Sequence, residues 1–428
     1  MPGASPAPER SPGTMRLDQI DLTDLDLFAH GFPHDAFRLL RREAPVWWHE
    51  PTAHTPDGVG FWVLSRHADV LAAVGDAGTF SSERAPGHDG GGTLIQDLPY
   101  GFAAGVLLNM TDDPRHRRVR AIVTPSTSPR AVASMEGELR ALTAGLIGAA
   151  LEAGECDFLT TVAAELPVQA SLQLLGVPAE DRHQLVAWSG ATLAYDDREL
   201  GEETEATRTA SASMAAYAEE LIAEKRRRPA DDLLSALVAA RVEDEDGPAR
   251  PLSPLELSMA FSLLVAAGSE TTRNAIALGV AALAEHPDQM AALRADRSLV
   301  GSGAEEILRW SSPTLYNRRT ATVDAWVGGV PVLAGDKVTL WWASANADEA
   351  VFPEPTRFDV RRDPNPHLAF GYRSHFCLGA GLARLELRLV LEELLDRVGS
   401  VELAGPVRRI RTNKHAGVAR MPVRLTPR

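Results

Sequence analysis

The sequence is short of cysteine, of basic charge and of long apolar runs. Its 428 residues contain two cysteines, Cys156 and Cys377, far apart and with no Cys-x-x-Cys pair. That excludes a disulfide scaffold and fits a reducing, cytoplasmic setting. Lys and Arg number 43 against 58 Asp and Glu, for a net charge of −15. Nucleic-acid binders usually carry a basic surplus, so no nucleic-acid partner is expected. The most apolar stretch, Met259 to Gly268, is too short for a membrane span and runs into Glu270 and Arg273. Gly90-Gly-Gly92 lacks the strand, Gly-x-Gly-x-x-Gly and helix frame of a dinucleotide site, so a mobile binding loop over 81–105 is expected there. Residues 1–13 are rich in Pro, Ala, Gly and Ser and have no apolar signal-peptide core, which predicts a disordered leader, drawn over 1–23.

What is present is an ordinary globular composition, 45% hydrophobic and 24% charged. Helical spacing exceeds strand signal, which predicts a mainly α chain with small β-sheets and one domain over 24–428. Helices are expected within 24–43, 68–74, 140–153, 158–175, 185–194, 211–225, 253–286, 303–310 and 382–398. Strands are expected at 46–48 and 60–64, at 317–323, 325–332 and 337–342, and in the tail. Residues 242–247 read as an acidic surface loop. His30 and His34 are four apart, but Gly31 and Pro33 break any helix between them, so they make no metal site.

Four stretches carry chemistry. The first runs from Pro366 to Arg384. Cys377 there precedes Gly379 and a helical segment, so a thiolate would meet the N–H groups and dipole of a helix N-terminus. Gly379, with no Cβ, lets backbone approach a flat ligand closely. A buried structural cysteine is the bland alternative. The second is Ala266-Ala-Gly-Ser-Glu-Thr-Thr272, inside the longest helix, whose start is marked by the capping box Ser253-Pro-Leu-Glu256. Gly268 costs about 1 kcal/mol in a helix interior. Thr271 can bond back to the Ala267 carbonyl and bend the helix, and with Glu270 it suits proton delivery. A helix-packing glycine beside a solvent-facing glutamate is the alternative. The third is the Glu306 and Arg309 pair. The fourth, at 109–120, puts His116 and Arg120 on one helix face, where they clamp an anion or simply end a basic helix.

Taken in order, these stretches resemble the cytochrome P-450 haem-thiolate monooxygenases from about Asp24 onward. Ala267-Gly-Ser-Glu-Thr-Thr272 resembles the family's oxygen-activation motif. Glu306-Ile-Leu-Arg309 resembles its Glu-x-x-Arg pair, with Arg362 as third member. Phe370-Gly-Tyr-Arg-Ser-His-Phe-Cys-Leu-Gly379 resembles its cysteine loop, except that Arg373 stands where the family usually has glycine.

The resemblance implies a haem b with Cys377 as the axial thiolate, shielded by Phe370 and Gly379. It implies His116, Arg120, Arg319 and His375 on the propionates, with Arg318 open in place of Arg319. Ala267 and Gly268 would lie against the cofactor, and Glu270 and Thr271 would serve oxygen activation. Leu94, Leu107, Leu193, Val265, Ala267, Thr314, Leu315 and His415 would line a substrate pocket. Electrons would come from a separate ferredoxin and its reductase. Arg117, Arg118, Arg384 and Arg388 are a candidate docking patch, and Arg373 is expected to reach the same surface. The implied activity inserts one atom of O2 into a hydrophobic small molecule such as a steroid, terpenoid, lipid or polyketide-like natural product, in a monomeric protein. Oxidative coupling or desaturation, and a non-catalytic haem- or lipid-binding protein, are the alternatives.

Overall fold

The structure, a computed structural model, describes residues 15–84, 86–193, 205–243 and 247–428; the side chains of 190–193 lie outside the described set. The acidic run at 244–246, residues 1–14 of the expected leader and the Leu193 side chain therefore fall outside it.

Helices dominate. Those that shape the site are α1 (His34–Glu43), α2 (Arg115–Val123), α3 (Pro129–Ala153), α4 (Glu165–Leu174), α5 (Pro254–Glu285), α6 (Val300–Ser311) and α7 (Ala380–Arg397). The start of α5 follows from its sequence. The Ser253 side chain accepts from Glu256 N at 3.2 Å and the Glu256 carboxylate accepts from Ser253 N at 2.6 Å, with Pro254 in the first turn. Arg250 and Arg115 brace the same carboxylate, whose pKa is pushed down to about 2 although burial opposes it.

One core lies among α3, α4, α5, α6 and α7 and includes Phe158, Leu166, Leu278, Ile307, Leu389 and Leu391. Gly279 of α5 is part of that packing, because a Cβ there would come within 2.6 Å of Ile307 Cγ2 and within 2.9 Å of its Cδ1.

The main sheet joins β1 (Val46–His49), β2 (Phe61–Leu64), β3 (Phe80–Ser81), β4 (Asn317–Ala321) and β5 (Lys337–Leu340) in the order β1-β2-β5-β4-β3. The β1–β2 hairpin pairs Val46 with Leu64 through His49 with Phe61. Strands Val398–Leu403, Pro422–Pro427 and Glu155–Asp157 form a second sheet.

Two expectations need correction. Residues 15–23 are not a loose leader: Ile20 and Leu22 are buried with Phe28, Phe37 and Trp341, and Leu22 N donates to His49 Nε2 at 2.9 Å. Two apolar side chains in a polar-looking segment are enough to pin it to the sheet. Nor is Gly90-Gly-Gly92 the tip of an open loop. Gly90 and Gly91 pair with Pro99 and Leu98, and a Cβ on Gly91 would collide with the Glu83 carbonyl. The glycines permit close backbone approach within the protein.

Candidate active site

Cys377 lies two residues before Gly379, the N-cap of α7. Its own N–H donates to Phe370 O at 2.8 Å, which closes the loop. The surrounding protein pushes the thiol up from its ordinary value, while the Gly379 N–H, Arg120, Arg384 and the Ala380 N–H pull it back down. The Arg384 guanidinium lies 4.6 Å from the Phe370 ring centroid and pairs with Glu305 at 2.6 Å. A Cβ on Gly379 would meet nothing within 4 Å, so one side of the loop is open to a flat group.

Beside the loop the chain gathers basic side chains from three places. His116 and Arg120 come from α2, Arg319 from β4 and His375 from the cysteine loop. The His116 and His375 rings are 4.1 Å apart. His375 Nε2 lies 3.2 Å from Ser82 Oγ, and Arg120 Nη2 donates to Phe376 O at 2.6 Å. Burial, then Arg319, His116 and Arg120, push His375 down to about 2. Burial pushes Arg319 down to about 10. Arg319 is 4% exposed, and among the described residues no carboxylate lies within ion-pair distance of it. A buried guanidinium without a counter-ion is costly, so this cluster fits a ligand bearing carboxylates, such as the propionates of a haem.

Arg318 differs. It is fully buried, pairs with Asp97 and donates to Gly92 O at 3.1 Å. Strand alternation sends the two arginines to opposite faces of β4, and Arg318 is committed to tying the 81–105 segment to the sheet. Of the two, Arg319 is the one beside His375.

Helices α5 and α7 pack against one another. Thr271 Oγ1 donates to Ala267 O at 2.9 Å, as its spacing predicted, and α5 runs on as α-helix through this stretch. Ala267 is exposed and Thr271 is half-buried. Glu270 is not solvent-facing. It is 8% exposed, and its Oε1 lies 3.0 Å from His415 Nδ1.

Glu306 and Arg309 form a buried two-point pair, with both N–O distances 2.8 Å. Arg362 Nε joins at 3.1 Å. The sequence pattern did not include Asn365 Nδ2 at 3.1 Å or Asp359 N at 3.0 Å on the same carboxylate. Arg309 also reaches Asn346 O and Pro355 O, so the pair ties α6 to the segment leading into the cysteine loop.

Several sequence assignments are revised. A Cβ on Gly268 would clash with Ser171 Oγ of α4, which fits the helix-packing alternative for this glycine. Val265 is 2% exposed and packs with Leu172 and Phe261; Leu315 is also 2% exposed and packs with Tyr316 and Trp341. Both belong to the core behind the expected pocket wall. Leu94 and Leu107 are half-buried. Of the arginine patch, Arg384 pairs with Glu305, Arg388 with Glu136 and Arg118 with Glu243, which leaves Arg117 exposed.

Lys414 is a site residue that sequence pattern did not single out. It is half-buried, its Nζ donates to Tyr316 O and to Asn317 Oδ1 at 2.7 Å each, and desolvation of the ammonium pushes it down to about 7.

The sequence profile named Cytochrome P450 matches residues 155–422. A cytochrome P450 of Mycobacterium tuberculosis is 48% identical over 412 residues, covering 96% of this chain and 98% of the relative. The steroid C26-monooxygenase of Rhodococcus jostii is 36% identical over 94% of this chain and 84% of its own length. The crystal structure of Mycobacterium marinum cytochrome P450 CYP268A2 in complex with pseudoionone superposes with a TM-score of 0.84 at 34% identity, covering 96% of this chain and 100% of that one. With a cysteine loop, a buried Glu-x-x-Arg network and a basic cluster in place, the chain belongs to the cytochrome P450 family of haem monooxygenases.

Proposed function

We propose that this enzyme holds haem b on Cys377 and inserts one oxygen atom from O2 into a hydrophobic small molecule, with electrons from a separate ferredoxin and its reductase. The observation that carries the reading is the convergence of Cys377, at the start of α7, with Arg319, Arg120, His116 and His375. Arg319 and the two histidines would bind the propionates, and the Cys377 thiolate the iron. When bound, the haem iron supplies the binding and activation of O2. The loop N–H groups and Arg120 favour the thiolate over the thiol. Cys377 is exposed in the chain itself, and Phe370 and the N–H groups at the start of α7 would tune the sulfur once the haem covers it. Thr271 and Glu270 deliver protons from the α5 face.

The substrate would lie against Ala267, Leu94, Leu107, Thr314 and His415. Small and apolar groups there favour a compound of steroid, branched-lipid or terpenoid type, and the similarity to a steroid C26-monooxygenase is in keeping with it. Arg117 and Arg373 are exposed on the elements that carry His116 and His375, and they suit an acidic electron donor.

The test is spectral and then catalytic. Purified protein, reduced under carbon monoxide, should show the thiolate-type Soret band, and Cys377→Ala should lose it. Spectral-shift screening of steroids, fatty acids, terpenoids and macrolides, followed by turnover with a surrogate ferredoxin system, should yield an oxygenated product. Protein that binds no haem, or a Cys377→Ala variant that keeps the band, would refute the reading.

A further inference from the structure

We infer that His415 is a positioning residue that holds the carboxylate of Glu270 in place for proton delivery. The inference rests on the proposed role of Glu270. Thr271 and Glu270 are adjacent on α5 but are supported differently. The Thr271 hydroxyl is held by its own helix, through Ala267 O at 2.9 Å. The Glu270 carboxylate is held from outside the helix, by His415 Nδ1 at 3.0 Å. With the proton on Nδ1, the imidazole donates to Oε1. The side chains are 20% and 10% exposed, so this contact is not a water-screened surface pair.

The ring is a fixed anchor because its backbone is pinned. Leu315 N donates to Lys414 O and Ala416 N donates to Pro313 O, both at 2.9 Å, and Thr314 and His415 form an isolated β-bridge. Lys414 Nζ adds two bonds at 2.7 Å to Tyr316 O and Asn317 Oδ1. Asn413 Nδ2 reaches Leu22 O at 2.8 Å. Residues 413–416 are thereby fastened to 313–317 and to the N-terminal segment. His415 links that wall to the carboxylate, and its loss would loosen the geometry from which a proton moves efficiently.

The test compares His415→Leu, His415→Asn and Glu270→Gln in the haem-loaded full chain, with O2 as the probe and a surrogate ferredoxin system as reductant. Oxygen consumption is measured in H2O and D2O. His415→Leu should keep the carbon monoxide spectrum, consume O2 about ten-fold more slowly and show a larger solvent isotope effect. His415→Asn, whose amide nitrogen can occupy the Nδ1 position, should recover much of the rate that His415→Leu loses. A purely structural role predicts no such rescue. In the reduced carbon monoxide complex, the nitrogen-15 resonance of His415 Nδ1 should shift in Glu270→Gln. His415→Leu with parental rate and isotope effect, while Glu270→Gln is slowed, overturns the role of His415 alone. Glu270→Gln at the parental rate overturns the proton-delivery reading and the role of His415 with it.

Discussion

Arg373 adopts φ 51°, in the left-handed region, four residues before the cysteine. A non-glycine residue there costs about 1 kcal/mol or more, and its guanidinium over the Tyr372 ring, 5.5 Å to the centroid, offsets part of that. Arg373→Gly is therefore expected to raise the thermal midpoint of the haem-loaded protein by about 2 °C, read by calorimetry. If the exposed side chain also meets the electron donor, the same variant changes the rate of reduction by ferredoxin. The neighbouring arginines of β4 predict opposite outcomes. Removing Arg318 leaves Asp97 partly uncompensated, although Lys337 lies 3.1 Å away, so Arg318→Leu should cost about 2–3 kcal/mol in denaturant unfolding. Removing Arg319 takes away a buried charge that has no carboxylate in ion-pair contact among the described residues, Asp112 acting on it only from farther off, so Arg319→Met should leave the haem-free chain about as stable, yet weaken haem retention. A haem-free Arg319→Met protein destabilised as much as Arg318→Leu would contradict that division of labour.

At the scale of elements, the long helix α5 packs on α6 through a glycine. Alanine in place of Gly279 gains about 1 kcal/mol of helix propensity but forces a Cβ against three side-chain carbons of Ile307, at a cost of about 1–3 kcal/mol. Overpacking should win. Gly279→Ala is expected to lower the denaturant midpoint, and adding Ile307→Ala should recover part of the loss; an alanine variant more stable than the parent would show that the helices separate freely. The limits of α5 were legible because its capping box, first-turn proline and long apolar pattern all agree. Gly279 was not, because one glycine in an apolar helix reads as a propensity cost until its neighbour is known. The same holds for Gly268, whose partner Ser171 lies nearly a hundred positions earlier in the chain.

For the whole molecule, two ion networks tie distant segments together. Glu305 joins the cysteine helix through Arg384 and the segment before it through His367, and its pKa is pushed down to about 2 although burial opposes this. Asp97, likewise at about 2, joins the 81–105 segment to β4 and β5. A carboxylate whose pKa is depressed in the folded state contributes stability that is full above its unfolded value, about 4–4.5, and is lost as pH falls toward about 2. The denaturant midpoint should therefore fall steadily on acidification through that window. Glu305→Gln should be less stable at neutral pH and show a shallower acid limb; an unchanged limb in that variant would remove Glu305 as a contributor.

Sequence alone determined the order of the chemistry-bearing stretches: Glu270 and Thr271 in a capped helix, Glu306 with Arg309 one turn on, and Cys377 ahead of an amphipathic helix. Those patterns are local, set by spacing along one element, and so they can be read without a fold. Only the tertiary structure decided which of two adjacent arginines faces His375, that Glu270 is buried against His415, that Val265 and Leu315 turn into the core, and that residues 15–23 are packed. Each of these depends on what a distant segment places opposite the residue. Pairing, burial and the sign of a pKa shift belong to that opposing surface, and one-dimensional spacing carries no record of it.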